Sequence, residues 1–66
     1  MDLVVNGSAT TVEDGTTLLE LLASFELRPG SVVVEYNGTA LLRSELAMAT
    51  LAEGDRLELV RAVAGG

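Results

Sequence analysis

The chemistry open to this chain is narrowed first by the residue types it lacks. Its 66 residues include no histidine, no cysteine and no lysine. Imidazole bases, thiolate nucleophiles, zinc-finger sites and disulfide staples are excluded together. Schiff-base and P-loop chemistry go with the missing lysine. The Ser and Thr hydroxyls have no base to activate them. Carboxylates remain, and Glu53 with Asp55 brackets Gly54. Paired carboxylates can do acid–base work, but that work needs a pocket, and a chain this short has little room for one. Glu53-Gly54-Asp55 therefore reads as a solvated turn. Asp2, Glu13 and Asp14 read the same way.

The other chemical feature is the run Ala62-Val63-Ala64-Gly65-Gly66. At a glycine usage of about 7%, two glycines close a chain by chance roughly once in 200. A frayed end is the plain reading. The chemical reading starts from the missing Cβ, which lets Gly65 and Gly66 take any φ and thread a narrow channel. The Gly66 carboxylate is then the least hindered acyl group a protein can present. A partner enzyme can activate it as an acyl-adenylate for attack by a sulfur or nitrogen nucleophile. The reactive group would belong to this chain and the catalysis to the partner. The sequence thus divides into a folded domain over 1–61 and a flexible carrier tail over 62–66.

Four arginines against ten acidic residues give 4 − 10 = −6. A phosphate backbone repels that charge, which argues against nucleic-acid binding. The hydrophobic share of 48% is that of an ordinary globular protein. The longest apolar run, Leu46 to Ala49, is far short of the about 20 residues a membrane helix needs. The start shows no basic, apolar leader. The expectation is a soluble, cytoplasmic single domain of modest stability.

The elements that must position the tail follow from local patterns. Leu3-Val4-Val5 reads as a strand, and Asn6-Gly7 as a type I′ hairpin turn into a second strand from Ala9 to Glu13. Thr17-Leu18-Leu19-Glu20 has capping-box spacing, and Leu18, Leu21, Leu22 and Phe25 then line one helix face. Pro29 and Gly30 close that segment. Val32 to Tyr36 is a strand, and Asn37-Gly38 turns it into a short strand from Thr39 to Leu42. Ser44 stands where it can cap a helical turn over Glu45 to Thr50. Arg56 to Val60 is the closing strand. One helix covers one face of a mixed sheet of four to five strands, an α+β architecture. The first and last strands have a connection long enough to pair in parallel.

Strand parity sorts the faces. Leu3, Val34, Leu57 and Leu59 belong to the helix side. Val4, Val33 and Val60 are left on the other side with Glu35 and Glu58. An apolar patch with an acidic rim fits a docking surface for a basic partner, while scattered surface valines need no explanation at all.

These pieces, in their order and spacing, resemble the ThiS family of small sulfur carriers. The likeness runs through Val5-Asn6-Gly7, Asp14-Gly15-Thr16-Thr17-Leu18, Glu20-Leu21-Leu22, Glu35-Tyr36-Asn37-Gly38 and Arg43-Ser44-Glu45. It continues through Leu51 to Val60 and ends on Ala64-Gly65-Gly66. Family members often carry Pro before the arginine matching Arg43 and Trp near Leu46; here Leu42 and Leu46 stand, both expected on a peripheral loop. The resemblance implies a ubiquitin-like β-grasp fold and a carrier that is not itself an enzyme. It implies no bound cofactor. An E1-like adenylyltransferase of the ThiF type would spend ATP on the Gly66 carboxylate. A persulfide relay fed by a cysteine desulfurase would convert it to a thiocarboxylate, a 1-thioglycine at Gly66. A thiazole synthase of the ThiG type would take the sulfur for thiamine. Ala64 and Gly65 would serve as the carrier tail.

Other destinations stay open at this stage. Small subunits of molybdopterin synthase look similar but run longer, and carriers for cysteine or secondary-metabolite sulfur are also similar. A ubiquitin-like protein modifier would use the same tail for isopeptide chemistry. A β-grasp binding module of the TGS kind shares the Asp-Gly-Thr and Asn-Gly segments.

Overall fold

The computed structural model describes residues 1–62. The chain forms β1 (Asp2–Val5), β2 (Ser8–Thr11), α1 (Leu18–Ser24), a turn of 3-10 helix at Pro29–Ser31, β3 (Val32–Tyr36), β4 (Thr39–Ala40), α2 (Arg43–Leu46) and β5 (Arg56–Arg61). The five strands make one mixed sheet in the order β2-β1-β5-β3-β4. β1 runs parallel to β5, and every other neighbouring pair is antiparallel. β5 is therefore central, held on both sides. Among the described residues no helix is long and apolar enough to cross a membrane.

Both hairpins turn where the Asn-Gly pairs stand. Asn6 and Gly7 have φ of 51° and 80°, and Asn37 and Gly38 have 50° and 87°. These are the two positive φ values that a type I′ turn requires. The capping box also forms: the Glu20 N–H donates to Thr17 Oγ1 at 3.1 Å, and the Thr17 N–H donates to Glu20 Oε1 at 2.9 Å.

The core lies between α1 and one sheet face. Leu18, Leu21 and Leu22 of α1 are fully buried against Leu3, Val5, Val34 and Leu57. This is the alternation that strand parity requires.

Four details differ from the sequence pattern. Phe25 is 44% exposed rather than part of the core, because α1 stops at Ser24 and Phe25 is its C-cap. A Schellman motif ends the helix: the Glu26 N–H donates to the Ala23 carbonyl and the Leu27 N–H to the Leu22 carbonyl. The helix thus ends well before Pro29, and its left-handed position is held by Glu26 at φ 59°, not by a glycine. Ser44 is not a cap. α2 starts at Arg43 with Leu42 as N-cap, and Glu45 Oε1 accepts the Leu42 N–H at 2.6 Å. Leu46 is 2% exposed, so it is a core residue and not part of a peripheral loop; α2 turns it inward against the sheet. β2 and β4 are each shorter than the β-favouring runs that suggest them, ending at Thr11 and Ala40. Bonds beyond the strands continue each ladder: the Val12 N–H donates to the Met1 carbonyl at 2.9 Å and the Met1 ammonium to the Val12 carbonyl at 2.6 Å, and the Leu41 N–H donates to the Val34 carbonyl at 2.9 Å.

Candidate functional site

The candidate carrier residues Ala64, Gly65 and Gly66 lie outside the described residues. What the fold determines is where their segment begins. β5 is bonded to β3 down to the Arg61–Val32 pair, and the Ala62 N–H donates to the Ser31 carbonyl at 2.9 Å. The sheet therefore holds the chain as far as Ala62.

Both asparagines of the hairpin turns brace β5. Asn6 Oδ1 accepts the Leu59 N–H at 2.7 Å. β1 has ended at Val5, so this side-chain carbonyl stands where the next strand carbonyl would. Asn37 Oδ1 accepts the Arg56 N–H at 2.8 Å. Asparagine suits both positions because it tolerates the left-handed region and offers an amide carbonyl there.

Asp55, just before β5, is the residue that sequence reasoning misplaces. It is 8% exposed, not a solvated turn carboxylate. Tyr36 Oη donates to its Oδ2 at 2.5 Å, the Ala52 N–H donates to Oδ2 at 2.7 Å, and Asn37 Nδ2 donates to Oδ1 at 3.1 Å. Burial pushes this carboxyl upward, but the bonds from Tyr36, Ala52 and Asn37 outweigh it and hold the group below the ordinary carboxylate range. The Tyr36 phenol is pushed up to about 12, chiefly by its bond to the Asp55 carboxylate, then by burial and the carboxylate's charge. The carboxylate is a structural pin joining the β3–β4 hairpin to the start of β5. Three donors engage its two oxygens and it is buried, so it is not placed to work as a base. The other carboxylates of that end are also engaged. Glu53 Oε1 accepts the Asp2 N–H at 2.8 Å, Asp2 Oδ1 accepts from Thr11 Oγ1 at 3.0 Å, and Asp14 lies 3.2 Å from the Met1 ammonium.

The sheet face away from α1 carries the patch that parity predicts. Val33 and Val60 are direct cross-strand partners and are 48% and 56% exposed. Glu35 and Glu58 are the next pair on that face, both exposed. Val4 lies on the same face opposite Arg56 and is half-buried. The structure thus brings Val4, Val33, Glu35, Glu58 and Val60 together on one surface. Glu35 and Glu58 place two like charges opposite each other, and among the described residues neither makes an ion pair. That arrangement costs the free domain stability and would be relieved by a cation brought from outside.

A shallow hollow beside α2 is lined by Tyr36, Leu41, Glu45, Met48, Ala49 and Thr50. Its one carboxylate, Glu45, is occupied by the Leu42 N–H. It holds no second acid or base with which to pair.

A five-stranded mixed sheet wrapped on one principal helix, with the closing strand in its centre, is a ubiquitin-like β-grasp domain. The model of the ThiS family matches residues 3–66, and the chain belongs to that family. The fold is similar to the crystal structure of the thiamine biosynthesis protein ThiS from Geobacter metallireducens, with a TM-score of 0.83 and 33% identity over the whole of both chains. It is also similar to a solution structure of a thiamine biosynthesis protein from that organism, with a TM-score of 0.80 and 33% identity over all of this chain and 88% of the other. A thiazole synthase of Magnetococcus marinus is 35% identical along all 66 residues. The chain spans 20% of that protein's length.

Proposed function

We propose that this chain is a sulfur carrier for thiazole formation in thiamine biosynthesis, with the Gly66 carboxylate as the carrying group. The observation that carries the reading is the ThiS family match over 3–66, joined to a whole-chain likeness to a ThiS crystal structure. In this reading a carboxylate oxygen of Gly66 attacks the α-phosphorus of ATP on a ThiF-type adenylyltransferase, and pyrophosphate leaves. A persulfide sulfur, supplied through a cysteine desulfurase, attacks the acyl-adenylate, and AMP leaves. A thiol then reduces the acyl disulfide and frees the thiocarboxylate. Gly65 and Ala64 give the segment its narrow cross-section. The chain supplies the acyl group and the docking face, and the partners supply the catalysis.

A ThiG-type thiazole synthase is the proposed acceptor. Support comes from the Magnetococcus protein, named a thiazole synthase, which carries a segment similar to the whole of this chain. The face bearing Val33, Val60, Glu35 and Glu58 is the proposed contact for these partners. Its apolar centre and unpaired acidic rim fit a partner with a basic rim.

The test is intact mass spectrometry after incubation with a ThiF-type enzyme, ATP and a persulfide source. The expected result is a mass gain equal to one oxygen exchanged for sulfur, localised to Gly66. An unmodified mass, under conditions that convert a ThiS carrier, overturns the reading. Covalent conjugates to other proteins would favour a modifier instead.

A further inference from the structure

The arginines of this acidic chain are not spread evenly. Three of the four gather where the C-terminal segment leaves the sheet. Arg61 is the register partner of Val32, and the Ala62 N–H is bonded to the Ser31 carbonyl. Both the N–H and the Oγ of Ser31 donate to the Arg28 carbonyl, at 2.9 and 3.2 Å. Gly30, between them, lies under the Arg43 guanidinium: a Cβ placed there would stand 3.2 Å from Nη2. The Arg43 guanidinium thus lies close over the 3-10 turn.

All three arginines are exposed, and among the described residues none makes an ion pair, in a chain with ten carboxylates. The nearest acidic residues do not neutralise them. Glu45 is turned back to the Leu42 N–H, and Glu26 makes no ion pair among the described residues. Glu35 and Glu58 lie on the opposite face of the sheet from Arg61, by strand parity. Meanwhile Asp2, Asp14, Glu53 and Asp55 are tied together at the far end of β5. Three of the four arginines and this carboxylate group thus lie at opposite ends of β5.

We propose that Arg28, Arg43 and Arg61 form a docking surface for an acidic protein rim, the rim surrounding the channel that accepts the C-terminal segment. The inference rests on the carrier reading for the identity of that partner. Gly66 is four residue steps beyond Ala62, a reach of at most about 14 Å. A nucleotide joined to Gly66 lies at the bottom of such a channel, and the arginines at the root of the segment meet its mouth. Guanidinium groups suit this task because they pair with carboxylates in a planar, bidentate way. Attraction between the three guanidinium groups and such a rim also speeds encounter at low salt.

The test has two parts. In the first, an oligoglutamate peptide is titrated into the isotopically labelled protein at low salt. The amide signals of Arg28, Ser31, Arg43, Arg61 and Ala62 are expected to move. The triple variant Arg28→Gln, Arg43→Gln, Arg61→Gln should lose that response with its other signals unchanged, and Arg56→Gln should keep it. In the second, ATP–pyrophosphate exchange is followed with the ThiF-type enzyme. The triple variant should raise KM for the carrier about tenfold with kcat unchanged, and should flatten its dependence on salt. Shifts that persist in the triple variant, or centre on Val33 and Val60, overturn the proposal. So does tripolyphosphate acting on the same signals more tightly than oligoglutamate, which would mark a phosphate site. Exchange at an unchanged KM in the triple variant sinks the docking surface and leaves the carrier reading intact. No exchange by the wild-type protein, with oligoglutamate binding preserved, sinks the carrier reading and leaves the acidic-ligand surface standing.

Discussion

Tyr36 donates its phenolic proton to Oδ2 of Asp55, nineteen residues further along the chain. Asn37, the next residue, donates to the other carboxylate oxygen. One buried carboxylate therefore joins the end of β3 to the start of β5, the strand that leads to the C-terminal segment. The same bond moves both titrations, and that gives the first prediction.

Tyr36 is the only tyrosine and there is no tryptophan, so tyrosinate absorbance reads this one group. Its titration should centre near 12, against 10.0 for an unperturbed phenol. In the unfolded chain the phenol ionises lower, so the stabilising contribution is full below pH 10 and lost as pH rises through 12. Asp55 has the opposite sign. Its folded carboxyl sits below the ordinary range, so its contribution is present above about pH 4 and lost as pH falls through the lower folded value. Asp55→Asn should bring the tyrosine titration down and flatten the acid limb of stability. Tyr36→Phe should cost about 1 kcal/mol. A tyrosinate titration near 10 in the wild-type protein would show that the bond does not persist in solution.

Much of this fold is legible because its signals are local. Val32 to Tyr36 opens on three β-branched residues, Asn6-Gly7 and Asn37-Gly38 each permit one tight turn, and Thr17 with Glu20 is a complete cap. The burial of Asp55 is not local. Glu53-Gly54-Asp55 reads as a wet turn until β3 brings Tyr36 and Asn37 over it. A tyrosine followed by Asn-Gly, with a lone aspartate entering a strand later in the chain, is the only hint. The end of α1 is hidden for a different reason: Glu26 takes a backbone conformation that glycine usually holds. Leu46 reads as peripheral because four residues of helix are too few to show a periodic face. The gathering of Arg28, Arg43 and Arg61 depends on the Ser31–Ala62 contact, which no spacing reveals.

Glu26→Gly should stabilise the domain by up to about 1 kcal/mol. The glutamate carries a Cβ at φ 59°, and glycine adopts that angle without strain, though its greater freedom in the unfolded chain takes back part of the gain. Denaturant melts of the two proteins decide it. Loss of stability would mean that the Glu26 side chain contributes more than its backbone angle costs.

Asn6→Gly keeps a residue that accepts the left-handed turn but removes the carbonyl that accepts the Leu59 N–H. The expected cost is about 1 kcal/mol, with faster hydrogen exchange at the Leu59 amide. Unchanged exchange at Leu59 would show that water or the main chain replaces the amide carbonyl.

Glu58→Gln removes one of two like charges that face each other on the exposed sheet face. The free domain should gain about 0.2–1 kcal/mol. If this face meets a basic partner, the same change should weaken binding to the adenylyltransferase or the thiazole synthase. A variant that gains stability and binds both partners as before would show that the Glu35–Glu58 pair has no docking role.

Leu57 and Val60 sit on the same strand and face opposite ways, so they separate core from contact surface. Leu57 is fully buried beneath α1, and Leu57→Ala should cost about 2–5 kcal/mol, a large share of what a domain this small commands. Val60 is 56% exposed beside Val33. Val60→Thr keeps the β-branch and should change stability by less than about 0.5 kcal/mol. Its effect should fall on partner binding, because a hydroxyl replaces an apolar group at the centre of the patch. Melting curves and binding isotherms on the two variants make the comparison. If Val60→Thr binds both partners like the wild type, the patch is ordinary surface, and the acidic rim alone must account for any docking on that face.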